Sequence, residues 1–208
     1  PPLHAIQWQR NEFLPRLHAA RESFTRQALN QAWVDKDPRL CLTYPAYQHI
    51  LLKRTPIAAV IRHPFEVAGS LHARDMIPLA KGLIIWFLYN QHLSRSLINS
   101  DMLISYESMV NLEEKAIHSL STFISDSCPE INSTTDSIRT NLSQKVQPYW
   151  KRNDENIPNT FLPEIEWQEI AEICTEIYKK TIVLNYDIKK FQSNFADTPG
   201  AILRGCAV

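Results

Sequence analysis

The chain has 208 residues, of which 44% are hydrophobic and 21% charged, and its 22 basic and 22 acidic side chains leave zero net charge. That length and composition suit one domain with a real core and argue against wholesale disorder. Zero net charge gives no footprint for non-specific nucleic-acid binding, although a local basic patch can still hold a phosphorylated ligand.

In chain order, residues 10–32 read as an amphipathic helix with Phe13, Leu17, Ala20, Phe24, Ala28 and Leu29 as its apolar stripe and Pro15 in its first turn. Trp33 and Val34 read as a short buried strand, followed by the polar turn DKDPR at 35–39. Residues 42–52 (LTYPAYQHILL) suggest a second helix with Pro45 near its start. The run IAAVI at 57–61, opened by Pro56, predicts a buried strand. Pro64 then fits the first turn of a helix running to about Arg74, where its missing N–H costs nothing.

A long helix is expected from Pro78 to about Asn99, with Leu83, Trp86, Phe87, Asn90, Leu93 and Leu97 on its buried side. MLISY at 102–106 reads as a strand. Residues 111–125 read as a helix capped by Asn111, with Leu112, Ala116, Leu120, Phe123 and Ile124 facing inward. Residues 126–163 read as a long polar surface segment carrying a short helix or two. The last amphipathic helix is expected over 164–184, and 191–208 as a loosely packed tail of the single domain 1–208.

The most apolar run, GLIIWFLY at 82–89, is far shorter than the ~20 residues a bilayer needs, so no membrane span is expected. Cys41, Cys128, Cys174 and Cys206 are scattered, with no C-x-x-C pair. They fit a reducing cytoplasmic setting and give no zinc site or disulfide framework. No signal peptide opens the chain. The opening PPLHAIQW lacks Met, and residues before Pro1 are expected to be missing.

Short strands separated by helices indicate an α/β domain with a parallel sheet flanked by helices, whose ligands bind beyond the carboxyl ends of the strands. Two polar turns, KDPR at 36–39 and RHPFE at 62–66, fall at such ends. In the second, Arg62 offers a bidentate fork, the helix N-terminus adds N–H donors, and Ser70 adds a hydroxyl. On spacing alone, an ordinary strand-to-helix turn with a surface arginine is the favoured reading.

The ordered set WVDKDPRLCLTYP (33–45), VIRHPFEVAGSL (60–71) and ISYESM (104–109) resembles the bacterial members of the sulfotransferase family that use 3′-phosphoadenosine 5′-phosphosulfate (PAPS). SLHARD and GLIIWFLYNQHL between them agree, and the similarity covers roughly residues 8–152. The resemblance implies a P-loop-type α/β sulfotransferase fold missing its first strand and phosphate loop, since no G-x-x-R-S-G-T-[ST] segment occurs in the sequence. It implies an enzyme that moves a sulfuryl group from PAPS, without a metal, to a hydroxyl or amine acceptor.

Arg62 and Ser70 match the family's 3′-phosphate ligands, and Lys36 its lysine that neutralises charge on the sulfuryl or bridging oxygen. Asp37 carries two readings of equal weight, a general base or a turn residue paired with Arg39. Tyr106 and Glu107 match a YE signature at a strand end, read as a structural cap, and Arg139 and Lys145 are candidates to close the site. The helices over 10–32 and 78–99 are expected to line an acceptor pocket suited equally to a small molecule, carbohydrate or lipid. The sequence sets no oligomeric state and gives no nucleic-acid partner. Two other readings stay open: a non-catalytic binding or scaffold protein on the same fold, and a P-loop small-molecule kinase. The latter is weakened by the Arg62–Ser70 pair and by the lack of a carboxylate clearly placed for Mg²⁺.

Overall fold

Prolines bracket the first strand: Pro56 precedes it, and Pro64 starts the helix that follows. A computed structural model describes residues 32–51, 54–145, 164–183 and 186–197, with single positions at 19, 22, 26, 199, 200 and 202. In chain order the elements are α1 (Leu40–Leu51), β1 (Ala58–Ile61), α2 (Pro64–Asp75), α3 (Leu79–Ser96), β2 (Met102–Ser105), α4 (Tyr106–Val110), α5 (Glu114–Ser127), α6 (Thr135–Lys145), α7 (Glu164–Val183) and α8 (Ile188–Asn194). Among the described residues this is an α/β chain, mostly helical, with a two-stranded parallel sheet. None of the described helices is long and apolar enough to cross a membrane.

The strands pair in parallel from Ala58 opposite Met102 to Ile61 opposite Ser105. Parallel neighbours need a crossover, supplied here by α2 and α3. β2 is buried along its whole length, whereas β1 buries Ala59 and Ile61 and exposes Ala58 and Val60. At the amino ends of both strands, the Arg54 guanidinium grips the Asp101 carboxylate, with Nη1 at 2.9 Å from Oδ1 and Nη2 on Oδ2. Asp101 also accepts the N–H groups of Ile57 (3.0 Å) and Ile98 (2.8 Å), so one buried carboxylate fixes where both strands begin.

The core is organised around α3, which buries Leu83, Trp86 and Phe87 on one side and Ile84 and Gln91 beyond it. It can sit close to α2 because position 82 is glycine: a Cβ there would stand 2.8 Å from the Ala68 Cα. From α7, Ile170, Cys174, Ile177 and Tyr178 join the same core. α5 lays Ala116, Leu120 and Phe123 over Met102 and Ile104 of β2.

Several sequence expectations change. Trp33 and Val34 form no strand, and Val34 is 89% exposed, while Trp33 packs on the cluster of Tyr44, Tyr47 and Leu51. β2 ends at Ser105, whose hydroxyl accepts the Ser108 N–H at 3.0 Å and starts α4 at Tyr106. Asn111 therefore closes α4 rather than opening α5, and Leu112 takes a left-handed turn (φ 56°) that keeps it off the α5 helix.

The chain from Phe191 is no loose tail where it is described. Phe191, Phe195 and Ile202 are fully buried, and the Phe195 ring lies 5.3 Å from Phe87 and 5.0 Å from Phe191. Gln192 donates to the Ser94 (3.0 Å) and Leu97 (2.9 Å) carbonyls, which the end of α3 would otherwise leave open. Apart from single positions, the helix expected over 10–32 lies outside the described residues, as does 146–163.

Candidate functional site

Arg62 stands where β1 stops and α2 has not yet begun, and its backbone and one terminal nitrogen are held. Its carbonyl accepts the Trp86 indole N–H at 2.9 Å. The next N–H, that of His63, donates to Glu107 Oε1 at 2.9 Å. The guanidinium lies over the Tyr106 ring at 4.5 Å and donates through Nη2 to Glu66 Oε2 at 3.1 Å. Its Nε is buried and has no hydrogen-bond partner among the described residues. A buried N–H left unpaired on a cation is costly, and an anion is the partner that satisfies it best. The side chain keeps 27% of its surface exposed, and that exposure belongs to atoms other than the buried Nε.

The turn itself follows from its sequence. Pro64 supplies the helical φ at the first position and has no N–H to satisfy. The His63 carbonyl accepts the Val67 N–H at 3.1 Å, completing the first turn. The His63 ring packs against Phe65 (5.9 Å) and edge-on to Tyr178 (4.9 Å), and burial pushes its pKa down, which favours the neutral ring. His63 is thus a packing residue. Glu107 is a brace as well as a cap, because its Oε2 accepts the Tyr178 hydroxyl at 2.6 Å.

Ser70 is exposed on α2, one helical turn beyond Glu66, which is itself four residues from Arg62. The expected pair of phosphate ligands therefore has a carboxylate between its members. An anion arriving at Arg62 must compete with Glu66 for the guanidinium.

Lys36 and Asp37 occupy the second turn. Lys36 is exposed. Asp37 is clamped by Arg39: the Arg39 backbone N–H donates to Oδ1 at 2.8 Å, its Nε to Oδ1 at 2.9 Å, and its Nη2 to Oδ2 at 2.5 Å. This is the turn-residue arrangement. The side-chain bonds from Arg39, then its backbone N–H, hold the Asp37 carboxyl well below the usual carboxylate range. Cys41 donates to the Pro38 carbonyl at 3.0 Å, and burial pushes its thiol up to about 12. Tyr89 of α3 lies within electrostatic reach of Cys41, Arg39 and Asp37. Trp86, three residues before it on α3, holds Arg62. Arg139 is occupied elsewhere, on Glu114 and the Leu112 carbonyl, and so joins α6 to the start of α5. Lys145 ends α6.

Glu66, Trp86 and Tyr178 border the Arg62 turn without being marked as site residues by the sequence. The Arg62–Glu66 spacing of four is a visible i,i+4 ion-pair signal. A buried tryptophan on α3 implies a partner for its indole N–H but does not say which. Tyr178 leaves no local signal. No family model matches the chain, and neither a curated protein nor a solved structure is significantly similar to it.

Proposed function

We propose that the chain has a sulfotransferase-type α/β fold and that Arg62 receives the 3′-phosphate of PAPS. The observation that carries this reading is Arg62 at the carboxyl end of β1, with its carbonyl held by Trp86, the next N–H held by Glu107, and its Nε buried with no partner among the described residues. The order of the KDPR, RHPFE and SYE segments supports it. In the proposed reaction the sulfur's bond to the bridging oxygen of the phosphosulfate breaks. A bond from the acceptor's oxygen or nitrogen to sulfur forms, the acceptor proton passes to a base, and adenosine 3′,5′-bisphosphate leaves. Lys36 would neutralise the bridging oxygen, and Ser70 would add a hydroxyl to the 3′-phosphate. Asp37 can serve as the base only after leaving Arg39. The acceptor is a small molecule, carbohydrate or lipid, and the free thiols of Cys41, Cys128 and Cys174 suit a reducing cytoplasm.

A second reading, nucleotide binding without transfer, is favoured by the Asp37–Arg39 clamp, which occupies the candidate base. Calorimetric titration tests what both readings share. Adenosine 3′,5′-bisphosphate should bind more tightly than adenosine 5′-phosphate, and Glu66→Gln should raise the affinity of the former alone. Equal affinity for the two nucleotides would remove the 3′-phosphate site. A sulfuryl-transfer assay then separates enzyme from binding protein.

A further inference from the structure

The carboxylate that fixes the Arg62 turn is itself fixed by a helix 71 residues further along the chain, through the Tyr178 hydroxyl at 2.6 Å. We infer that Glu107 and Tyr178 are positioning residues for Arg62, so that the seating of α7 sets how the guanidinium is presented to a phosphate. The inference rests on the reading above that Arg62 receives one.

Three observations converge on it. Glu107 holds the backbone N–H directly after Arg62 at 2.9 Å. The residue before Glu107 is Tyr106, whose ring lies under the guanidinium at 4.5 Å. A single carboxylate therefore holds both the arginine's backbone and the segment that carries the ring beneath its charge. Tyr178 touches this tie twice, by its hydroxyl on Glu107 and by its ring edge-on to His63 at 4.9 Å. Burial, then the bond to Glu107, pushes the phenol's pKa up, so Tyr178 stays a donor. Loss of that hydroxyl frees one oxygen of Glu107 to turn, and the turn after β1 loosens with it. A ligand must then order Arg62 before using it, and that cost appears as lost affinity.

The test is a double-mutant cycle read by calorimetry with adenosine 3′,5′-bisphosphate on the 208-residue chain. Tyr178→Phe keeps the ring and removes only the hydroxyl. It should weaken binding about tenfold, whereas Arg62→Ala/Tyr178→Phe should bind no more weakly than Arg62→Ala. An equal loss in both backgrounds would mean that Tyr178 only supports the fold, and no loss in the wild-type background would overturn the inference outright. Failure of the wild-type chain to bind would overturn the phosphate reading, and the inference with it. Glu107→Gln provides a second variant should Tyr178→Phe fail to fold. The NMR signals of Arg62 Nε–H and His63 N–H provide a readout without ligand: both should move in either variant, and unchanged signals would refute the coupling.

Discussion

Glu107 accepts the His63 backbone N–H at 2.9 Å, and so ties the segment after β2 to the turn after β1. Asp101 makes the matching tie at the other end, from the residue before β2 to the N–H of Ile57 just before β1. A two-stranded parallel sheet is marginal by itself, and here a carboxylate braces each end of it. The amino-end brace is structural, whereas the carboxyl-end brace borders Arg62.

Asp101→Ala should therefore be strongly destabilising. The side chain is fully buried and accepts from Arg54, Ile57 and Ile98. Removing one member of such a pair leaves a partly buried guanidinium uncompensated and costs about 3–5 kcal/mol. Urea unfolding followed by circular dichroism should show the midpoint fall accordingly, and a change below about 1 kcal/mol would refute the bracing role.

Phe195→Ala tests whether the end of the chain belongs to the core. The ring is 1% exposed and packs on Phe87 and Phe191. Truncating a buried phenylalanine costs about 3–5 kcal/mol. A loose tail would lose almost nothing in the same urea titration.

That tail is also where the sequence was least legible. Phe191 and Phe195 sit in a polar stretch without helical periodicity strong enough to mark a core face, and their burial depends on where α3 lies. The parts that local chemistry decides were readable: Pro64 at the start of α2, the Leu83–Phe87 side of α3, and Arg62 at the end of a strand. At Asp37 the sequence left two readings open, because an aspartate two residues before an arginine suits a base or a turn equally; the structure pairs it with Arg39. Leu112 falls at a helical position by spacing yet turns left-handed, a conformation that has no signature in a leucine. The Glu107–Tyr178 bond joins residues 71 apart, and no periodicity reports such a contact.

His63 should give the folded protein a pH dependence of known sign. Burial lowers its pKa below the ordinary 6.5, opposed by Glu107 and Glu66, while Lys179 also lowers it. Below pH 6.5 the unfolded chain takes up the proton more readily than the folded one. The group's contribution is thus complete above 6.5 and is lost as pH falls from there towards the depressed folded-state value. His63→Phe, which keeps a ring between Phe65 and Tyr178, should flatten stability against pH between about 7 and 5. Unfolding at a series of pH values measures this, and identical slopes for the two proteins would contradict it.

The most direct measurement is calorimetric titration of adenosine 3′,5′-bisphosphate into the wild-type chain and Arg62→Ala at one fixed ionic strength. Losing a charge-assisted contact to phosphate should lower affinity by at least about tenfold. Binding of adenosine 5′-phosphate, which lacks the 3′-phosphate, should be unchanged. Equal affinity of the two proteins for adenosine 3′,5′-bisphosphate would contradict the assignment of Arg62 as the 3′-phosphate ligand.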